Sequence, residues 1–161
     1  MYDLIIIGGG PAGVSAGVYA ARKKLKTLLI TLEFGGQSVV SDGIENWIGT
    51  ARISGSELAK NFKDHLLAYA GESVLINENE KVVDINKLET GFLVLTDKSK
   101  YETKSILIGT GSHRRKLEIP GAKEFDNKGL TYCASCDGPL FADQNVVVIG
   151  GGNAALESAA Q

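Results

Sequence analysis

The chain opens, after three residues, on Leu4-Ile5-Ile6-Ile7-Gly8-Gly9-Gly10-Pro11-Ala12-Gly13, an apolar run that breaks into glycines and then into helix-forming residues. This order predicts a strand, a tight turn and a helix. Gly8, Gly10 and Gly13 fit the pattern G-x-G-x-x-G, in which the first glycine permits the turn, the second admits a pyrophosphate and the third lets helix and strand pack closely. The sequence therefore predicts a dinucleotide site at the N-terminus of this helix.

The residues around this motif strengthen the prediction, because a bare G-x-G-x-x-G also occurs in turns that bind nothing. An alanine-rich stretch, residues 12–21, continues the helix, and Lys26-Thr27-Leu28-Leu29-Ile30 is typical of a second parallel strand. Glu33 follows Gly13 by twenty residues, the separation at which a carboxylate meets the adenosine ribose hydroxyls. An ordinary βαβ unit without a nucleotide is the alternative interpretation.

Composition and charge narrow the class of protein. A net charge of -2 over 161 residues gives no general basic field, so a nucleic-acid partner is not expected. No apolar run approaches the ~20 residues that span a bilayer, and no leader-like segment precedes the first strand, so we expect no membrane partner and a cytoplasmic location. Two cysteines three positions apart argue against a secreted disulfide scaffold and favour redox or metal chemistry in a reducing compartment.

The segment from Phe34 to Trp47 is predicted to be a loop of about fifteen residues, a length that is usually functional. Gly35-Gly36 permits close approach of the backbone to a flat ligand, and Gln37 and Asn46 can each donate and accept hydrogen bonds. A polar Ω-loop anchored by Trp47 is equally compatible with this segment.

The next segment predicts an amphipathic helix. Ser54 and Glu57 have the spacing of a capping box, and Gly71 is placed to end the helix. Its apolar face is predicted to comprise Leu58, Phe62, Leu66 and Tyr69.

Strand-length patterns follow from Val74 to Ile85, from Phe92 to Leu95 and at Tyr101-Glu102-Thr103. They predict antiparallel strands that form a side layer on the nucleotide-binding sheet. Ser105-Ile106-Leu107-Ile108 predicts a buried strand that returns to the parallel sheet. The small residues of Gly109-Thr110-Gly111-Ser112 would let the backbone after it pass close to the dinucleotide.

A second fingerprint, G-x-G-x-x-A, lies at Gly150, Gly152 and Ala155, after the apolar run Asn145-Val146-Val147-Val148-Ile149. It predicts a second strand, turn and helix, and hence a second dinucleotide. Because the sequence stops at Gln161 within that helix, we expect a fragment whose second domain has only its first strand. The apolar run would then be exposed or mispaired.

Cys133 and Cys136 leave three interpretations open: half a zinc site, a redox dithiol or two packed thiols. Structural zinc needs four ligands, and His65 and His113 lack the usual paired spacing, so no metal site is expected. The redox interpretation explains more, because in C-x-x-C one thiol attacks a disulfide as thiolate while the other resolves the mixed disulfide. Asp137 is the candidate acid that manages the proton.

Together these motifs resemble, in their order and over the whole chain, the low-molecular-weight bacterial thioredoxin reductases. They are Gly8-Gly9-Gly10-Pro11-Ala12-Gly13, Gly35-Gly36-Gln37, Glu45-Asn46-Trp47, Thr110-Gly111, Ile119-Pro120-Gly121, Cys133-Ala134-Ser135-Cys136-Asp137-Gly138 and Gly150-Gly151-Gly152-Asn153-Ala154-Ala155. The stretch from Cys133 through Phe141 is also similar to the flavoprotein component of alkyl hydroperoxide reductase, a close relative. Ser135 replaces the threonine commonest in the family, and Gly109 replaces an alanine, and we expect little effect from either.

The resemblance implies an α/β protein with a Rossmann-like FAD-binding domain over residues 1–113, made of a parallel sheet, helices and an antiparallel side layer. Residues 114–161 would hold a connection, the redox C-x-x-C and the start of a second Rossmann-like domain that binds NADPH. The implied activity is that of a thioredoxin-disulfide reductase, with electrons passing from NADPH to FAD, to the Cys133–Cys136 disulfide and then to a thioredoxin-like protein disulfide.

The family's residue roles carry over by position. Cys136 would face the flavin, Cys133 would attack the partner, and Asp137 would protonate the outgoing thiolate. The positions that match FAD-binding residues are Gly8, Gly10, Gly13, Glu33, Gly36, Gln37, Asn46, Val82 (through its backbone), Thr110 and Gly111, and those that match the NADPH turn are Gly150, Gly152 and Ala155.

Members of this family continue through the rest of the NADPH domain and then complete the FAD domain, so we expect these 161 residues to be inactive alone and the full-length protein to be a homodimer. Two other functions stay open. One is a reductase like the alkyl hydroperoxide reductase flavoprotein, which normally carries an additional N-terminal thioredoxin-like region, whereas Met1 here leads straight into the first strand. The other is a flavin-binding remnant without turnover.

Overall fold

The computed structural model describes residues 1–112, 115–126 and 128–161, apart from the side chain of Cys136. The chain divides into two units, Met1–His113 and Arg114–Gln161. The domain boundary expected at residues 113 and 114, and His113 as a potential zinc ligand, lie outside the described residues.

A six-stranded mixed sheet forms the centre of the first unit. Its strands are β1 (Tyr2–Gly9), β2 (Thr27–Phe34), β3 (Val74–Glu78), β4 (Val82–Lys87), β5 (Phe92–Thr96) and β6 (Lys100–Ile108). Their order across the sheet is β3-β2-β1-β6-β5-β4, with β1 parallel to β2 and to β6, and β2 parallel to β3. The α/β fold predicted from the sequence is confirmed, with the carboxyl ends of β1, β2 and β6 at one edge.

Two helices, α1 (Pro11–Arg22) and α2 (Gly55–Ala70), cover one face of the sheet. The predicted caps of α2 are confirmed, because the Ser54 side chain accepts a hydrogen bond from the Glu57 N–H at 3.2 Å and Gly71 ends the helix at φ +49°. Tyr69 was wrongly assigned to the apolar face: it is exposed, and Ala70, four residues after Leu66, is buried instead. In the described part of the chain, no helix is both long and apolar enough to cross a bilayer.

The hairpin of β4 and β5 covers the opposite face. Val94 of β5 is fully buried against the apolar residues of β1 and β2 on that face. The predicted side layer is thus present, but its last strand is not separate: β6 pairs antiparallel with β5 through Lys100–Thr103 and parallel with β1 through Thr103–Ile108.

Two expectations about these strands were wrong. The sequence pattern placed Val74–Ile85 wholly in the antiparallel layer, whereas β3 pairs parallel with β2, because the chain leaves α2 at the far side of β2. Ile108 was expected to be buried and is 67% exposed, since it lies at the end of β6, beyond the packing that partly covers Ile106.

A buried carboxylate ties the turn between β3 and β4 to the hairpin. Glu80 is 5% exposed and accepts hydrogen bonds from Asn77 Nδ2 at 2.8 Å and Thr96 Oγ1 at 2.6 Å. Asn77 Nδ2 also donates to the Tyr101 hydroxyl at 2.8 Å. Two effects raise the pKa of Tyr101 above its usual value of about 10. The larger is burial of the side chain, and the smaller is its hydrogen bond with Glu80.

This shift predicts a loss of stability at alkaline pH. A group whose pKa is higher in the folded than in the unfolded state stabilises the fold. For Tyr101 this contribution to the unfolding free energy is complete below about pH 10 and is lost as the pH rises through the raised pKa. Replacing Tyr101 by Phe removes the titration and the hydrogen bonds of the hydroxyl with Asn77 and Glu80, so wild type should exceed the variant in unfolding free energy by about 1–2 kcal/mol near neutral pH. The difference should shrink above about pH 10.

Urea denaturation at several pH values measures this difference, with Tyr19→Phe as a matched control because Tyr19 is 67% exposed. A Tyr101→Phe difference that stays constant across the alkaline range would contradict the prediction.

Candidate functional site

The turn between β1 and α1 is packed too closely for side chains. A Cβ at Gly13 would lie 1.8 Å from the Gly8 carbonyl oxygen, and a Cβ at Gly8 would lie 2.2 Å from the Gly109 carbonyl oxygen. Gly8 also has φ +116°, a conformation that favours glycine. The start of α1 and the residue after β6 therefore both press against the end of β1, as the first and third glycines of the fingerprint require.

Gly10 differs from its neighbours because the space in front of it is open. A Cβ there would meet only the Gly36 Cα, at 4.0 Å. The packing of the fold therefore does not require a glycine at position 10. No side chain caps α1, and its first turn carries no acidic residue. We call the opening formed by Gly10, Gly36 and the N-terminus of α1 the glycine cradle. It fits an anion such as a pyrophosphate, because the first N–H groups of a helix lack intrahelical partners.

The carboxyl end of β2 lies beside the cradle. Gly9 pairs with Phe34, and the preceding residue, Glu33, is exposed. The Glu80 N–H donates to the Thr31 carbonyl at 3.2 Å, which brings the residues just before Val82 to the same end of β2. The structure thus gathers the β1 turn, Glu33 and the segment leading to Val82 along one edge of the sheet.

The loop after β2 is more ordered than the sequence indicated. It begins with a 3₁₀ helix, Gly36–Val40, entered through Gly35 at φ +93°. Gln37 lies exposed on this helix, directly after Gly36 of the cradle. Thr110 and Gly111 directly follow Gly109 at the end of β6, also at this edge, and both are exposed.

Asn46 is not brought into the cradle in the same way. It sits on an exposed turn that the backbone bridge between Ile44 and Ile53 closes. Trp47 anchors this turn by stacking edge-on against Phe62, with 5.2 Å between ring centroids. The anchoring role expected for Trp47 is therefore present, and the interpretation of Gly35-Gly36 as a ligand-facing segment stays a prediction.

The second fingerprint forms its turn and helix but not its strand. Helix α4 (Asn153–Ala160) follows Gly152, and a Cβ at Gly150 would lie 3.0 Å from the Ala155 Cβ, so the turn is tight. The apolar run from 145 to 149 has no strand structure, and among the described strands none pairs with it. The strand prediction was wrong here because a strand exists only through its hydrogen-bonded neighbours, and Val147 is 88% exposed.

The cysteine motif lies in the second unit, at the start of the short helix α3 (Ala134–Asp137). Cys133 is the residue that precedes the helix, is half-buried and is disulfide-bonded. The Asp137 N–H donates to the Cys133 carbonyl at 2.9 Å, so the candidate acid lies one helical turn from the candidate nucleophile. The flavin-facing role expected of Cys136 concerns a side chain outside the described part of the structure.

Thr131 is a residue that the sequence interpretation missed. Its hydroxyl donates to Asp137 Oδ2 and accepts the Cys133 N–H at 3.3 Å. A threonine hydroxyl that accepts the backbone N–H two residues later is a common side-chain-to-backbone motif, and its position two residues before Cys133 could have singled it out.

Tyr132, next to Cys133, is held by the segment before it. The Leu117 N–H donates to the Tyr132 hydroxyl at 2.9 Å, and the Lys116 ammonium lies 5.9 Å from the Tyr132 ring centroid. The hydrogen bond from Lys116 to Asp126 raises the pKa of that lysine, so the cation stays charged beside the ring. A cavity of about 740 Å³ in this unit reaches Cys133, with Arg115 among its lining residues.

No cluster of three or more potential metal ligands occurs among the described residues. The structure displays a disulfide-bonded Cys133 one helical turn from Asp137 in one unit, and in the other a glycine cradle open at the N-terminus of α1.

Comparison with known proteins gives a family for this arrangement. Residues 2–161 match the family model described as pyridine nucleotide-disulphide oxidoreductase. The chain is 43% identical over 158 residues to a thioredoxin reductase of Treponema pallidum, covering 97% of this chain and 50% of the relative. It is 41% identical over 159 residues to one component of the alkyl hydroperoxide reductase of Staphylococcus aureus, covering 98% of this chain and 31% of the relative.

The solved structures agree. The thioredoxin reductase of Streptococcus pyogenes superposes with a TM-score of 0.85 at 40% identity, covering 99% of this chain and 51% of that one. The chain thus spans half or less of the length of the curated relatives named here.

The different surroundings of Gly13 and Gly10 predict that an added methyl group lowers the free energy of unfolding at the first position and barely changes it at the second. Gly13→Ala forces the start of α1 off the end of β1 and should lower the free energy of unfolding by about 3 kcal/mol. Gly10→Ala meets open space at φ −77° and should stay within about 0.5 kcal/mol of wild type. Urea denaturation followed by circular dichroism compares the two variants. Equal stabilities would show that the close approach is not a constraint on the fold.

Proposed function

The chain belongs to the pyridine nucleotide-disulphide oxidoreductase family, and we propose that it serves in thioredoxin-disulfide reduction, using NADPH, FAD and the Cys133–Cys136 pair. The observation that carries the proposal is the disulfide at Cys133, one helical turn from Asp137, whose carboxylate accepts a hydrogen bond from Thr131. The reductant would be NADPH, and the final acceptor would be the disulfide of a thioredoxin-like protein.

The glycine cradle supports FAD as the cofactor of the first unit. Its pyrophosphate would meet the backbone of Gly10 and the N–H groups of α1, where no side chain intervenes. Glu33 would accept hydrogen bonds from the ribose hydroxyls, and Val82 would contact FAD through its backbone. Gln37, Asn46, Thr110 and Gly111 would contribute further contacts to FAD. When bound, FAD would supply a two-electron carrier between the nicotinamide and a disulfide.

The second fingerprint supports NADPH. Its helix α4 begins without a capping side chain and without an acidic residue in its first turn, so an anion would not be repelled there. Gly150, Gly152 and Ala155 would form the turn that the NADPH pyrophosphate approaches.

The residues of the disulfide site have separate roles in the proposal. Cys133 would attack the partner's disulfide as thiolate, while Cys136 would exchange electrons with the flavin and resolve the mixed disulfide. Asp137 would protonate the thiolate that leaves. Such chemistry requires the pair to be reduced and reoxidised in turn, which suits a reducing compartment, and we propose a cytoplasmic location.

We further propose that these 161 residues do not turn over alone. The apolar run before the second fingerprint is exposed, with Val146 at 63% and Ile149 at 62%. Hydride transfer needs nicotinamide and flavin held in near-contact geometry, and a misplacement of about 1 Å can cost roughly a hundredfold in rate. In a protein of the relatives' full length, we propose a homodimer.

A second candidate is the flavoprotein role in alkyl hydroperoxide reduction. The observation in its favour is the 41% identity to the Staphylococcus aureus relative, almost that of the thioredoxin reductase of Treponema pallidum. The acceptor disulfide would then belong to a peroxidase partner, and the same cysteines would serve.

The cradle predicts a specific loss of FAD when Gly10 is replaced by valine, because the isopropyl group would occupy the path of the pyrophosphate. Affinity for FAD should fall by roughly 100-fold, about 2.7 kcal/mol, while the chain remains folded. Titration of the chain with FAD, followed by flavin fluorescence, measures the affinity. Ala68→Val, at an exposed position of α2, is the matched control and should bind FAD as wild type does. Undiminished binding by Gly10→Val would sink the assignment of the cradle.

The function is tested in a chimera, since the chain covers 51% of the Streptococcus pyogenes thioredoxin reductase. These 161 residues replace the matching half of that enzyme, and NADPH-dependent reduction of thioredoxin and of a peroxidase disulfide is measured. We expect the chimera to reduce thioredoxin faster than it reduces the peroxidase disulfide. Cys133→Ser should leave flavin reduction by NADPH intact and stop reduction of thioredoxin, because the attacking thiol is lost.

Bound flavin absorbance shows that the chimera has folded. A flavin-loaded chimera that reduces only the peroxidase disulfide would favour the second candidate. Full thioredoxin reduction by the Cys133→Ser chimera would refute the role given to Cys133.

A further inference from the structure

Thr131 lies between the two groups that the disulfide chemistry needs. Its hydroxyl contacts the Asp137 carboxylate on one side and the Cys133 backbone on the other. Thr131, Cys133 and Asp137 are all half-buried, so these hydrogen bonds are only partly shared with solvent.

The two contacts fix the direction of the hydroxyl. The Cys133 N–H can only donate, so the Thr131 oxygen must accept there. The single hydroxyl proton is then available to Asp137, and it is donated to Oδ2. With Oδ2 engaged as an acceptor, the other carboxylate oxygen, Oδ1, is the one that can carry an exchangeable proton.

We propose that Thr131 is a positioning residue that orients Asp137 so that Oδ1 delivers a proton to the thiolate that departs from an external disulfide when Cys133 attacks it. The inference rests on the proposed roles of Cys133 and Asp137, and it adds a residue for which the C-x-x-C motif makes no provision. A backbone hydrogen bond from the Asp137 N–H to the Cys133 carbonyl, at 2.9 Å, also fixes the backbone of Asp137 relative to that of Cys133.

The chemical step is thiol–disulfide exchange. The Cys133 thiolate attacks one sulfur of an external disulfide, a bond from Cys133 to that sulfur forms, and the external sulfur–sulfur bond breaks. The departing thiolate takes the proton from Asp137, which regains one from solvent. The Cys136 thiol, like Cys133 before it, gives its proton to solvent, and its thiolate attacks the Cys133 sulfur. The Cys133–Cys136 bond forms, the mixed disulfide breaks, and the second external sulfur leaves as a thiolate that takes a proton from solvent. The protein dithiol loses two electrons and two protons, and the external disulfide gains them.

A positioned acid matters only when the leaving thiolate is basic. An alkyl thiolate such as glutathione's needs a proton to leave readily, whereas the nitrothiobenzoate anion of an aryl disulfide is stable without one. The two disulfides therefore separate a proton-positioning role from a purely structural one.

The test uses the chain itself, reduced with dithiothreitol and freed from excess reagent, without flavin or nicotinamide. Its rates of reaction with glutathione disulfide and with dithiobis(nitrobenzoate) are measured under single-turnover conditions. Thr131→Val keeps the shape and removes the hydroxyl, and it should slow the reaction with glutathione disulfide roughly tenfold, a part of the 10²–10⁴-fold that a positioned acid provides. Its reaction with the aryl disulfide should stay within about twofold of wild type.

Two further variants sharpen the test. Thr131→Ser keeps the hydroxyl and should react as wild type does with both disulfides. Asp137→Asn should show the same selective loss as Thr131→Val. The double variant should be no slower than Asp137→Asn alone, because both substitutions abolish the same proton delivery by Asp137.

Equal slowing of both disulfides in Thr131→Val, no slowing of either, or a Thr131→Ser as slow as the valine variant would each overturn the inference. Since the measurement uses neither cofactor, a chimera that fails with NADPH would refute the proposed function and leave this result unchanged.

Discussion

The first unit depends on one close contact, in which the Gly8 carbonyl meets the backbone of Gly13 where no Cβ could fit. This contact sets the start of α1 directly against the end of β1 and so aims the helix N-terminus at the sheet edge. A similar approach recurs where α1 crosses α2, because a Cβ at Gly17 would lie 2.8 Å from Leu66 Cδ1. The positions that lack side chains thus help to determine where the N-terminus of α1 lies at the sheet edge.

The sequence predicted the elements that local patterns specify. The fingerprint, the caps at Ser54 and Gly71 and the apolar periodicity of β1 and β2 are all properties of a few consecutive residues, and the structure confirms the elements they imply. Pairing is different, because it depends on residues far apart in the chain. The parallel partnership of β3 with β2, and the continuity of β6 through two pairings, could not be deduced from strand-length patterns alone.

Isolated polar residues were also beyond sequence reasoning. Glu80 lies in a stretch rich in asparagine and glutamate that suggests a solvated turn, yet it is among the most buried charged groups of the described chain. Its burial is tolerated because donors on three elements converge on it, and an unpartnered carboxylate there would carry a large desolvation cost. Thr131 is a second case, since only the folded chain shows that its hydroxyl touches Asp137.

The two fingerprints show what such a motif does and does not specify. Both produce a tight glycine turn followed by a helix without a capping side chain, because turn and helix are formed by neighbouring residues. Only the first produces a strand, since β1 has β2 and β6 on its two sides, whereas the described structure pairs no strand with residues 145–149. A dinucleotide needs the rigid edge that a paired strand gives to the turn. The first fingerprint therefore has a formed cradle, and the second has the local geometry of one, which neighbouring strands would have to complete.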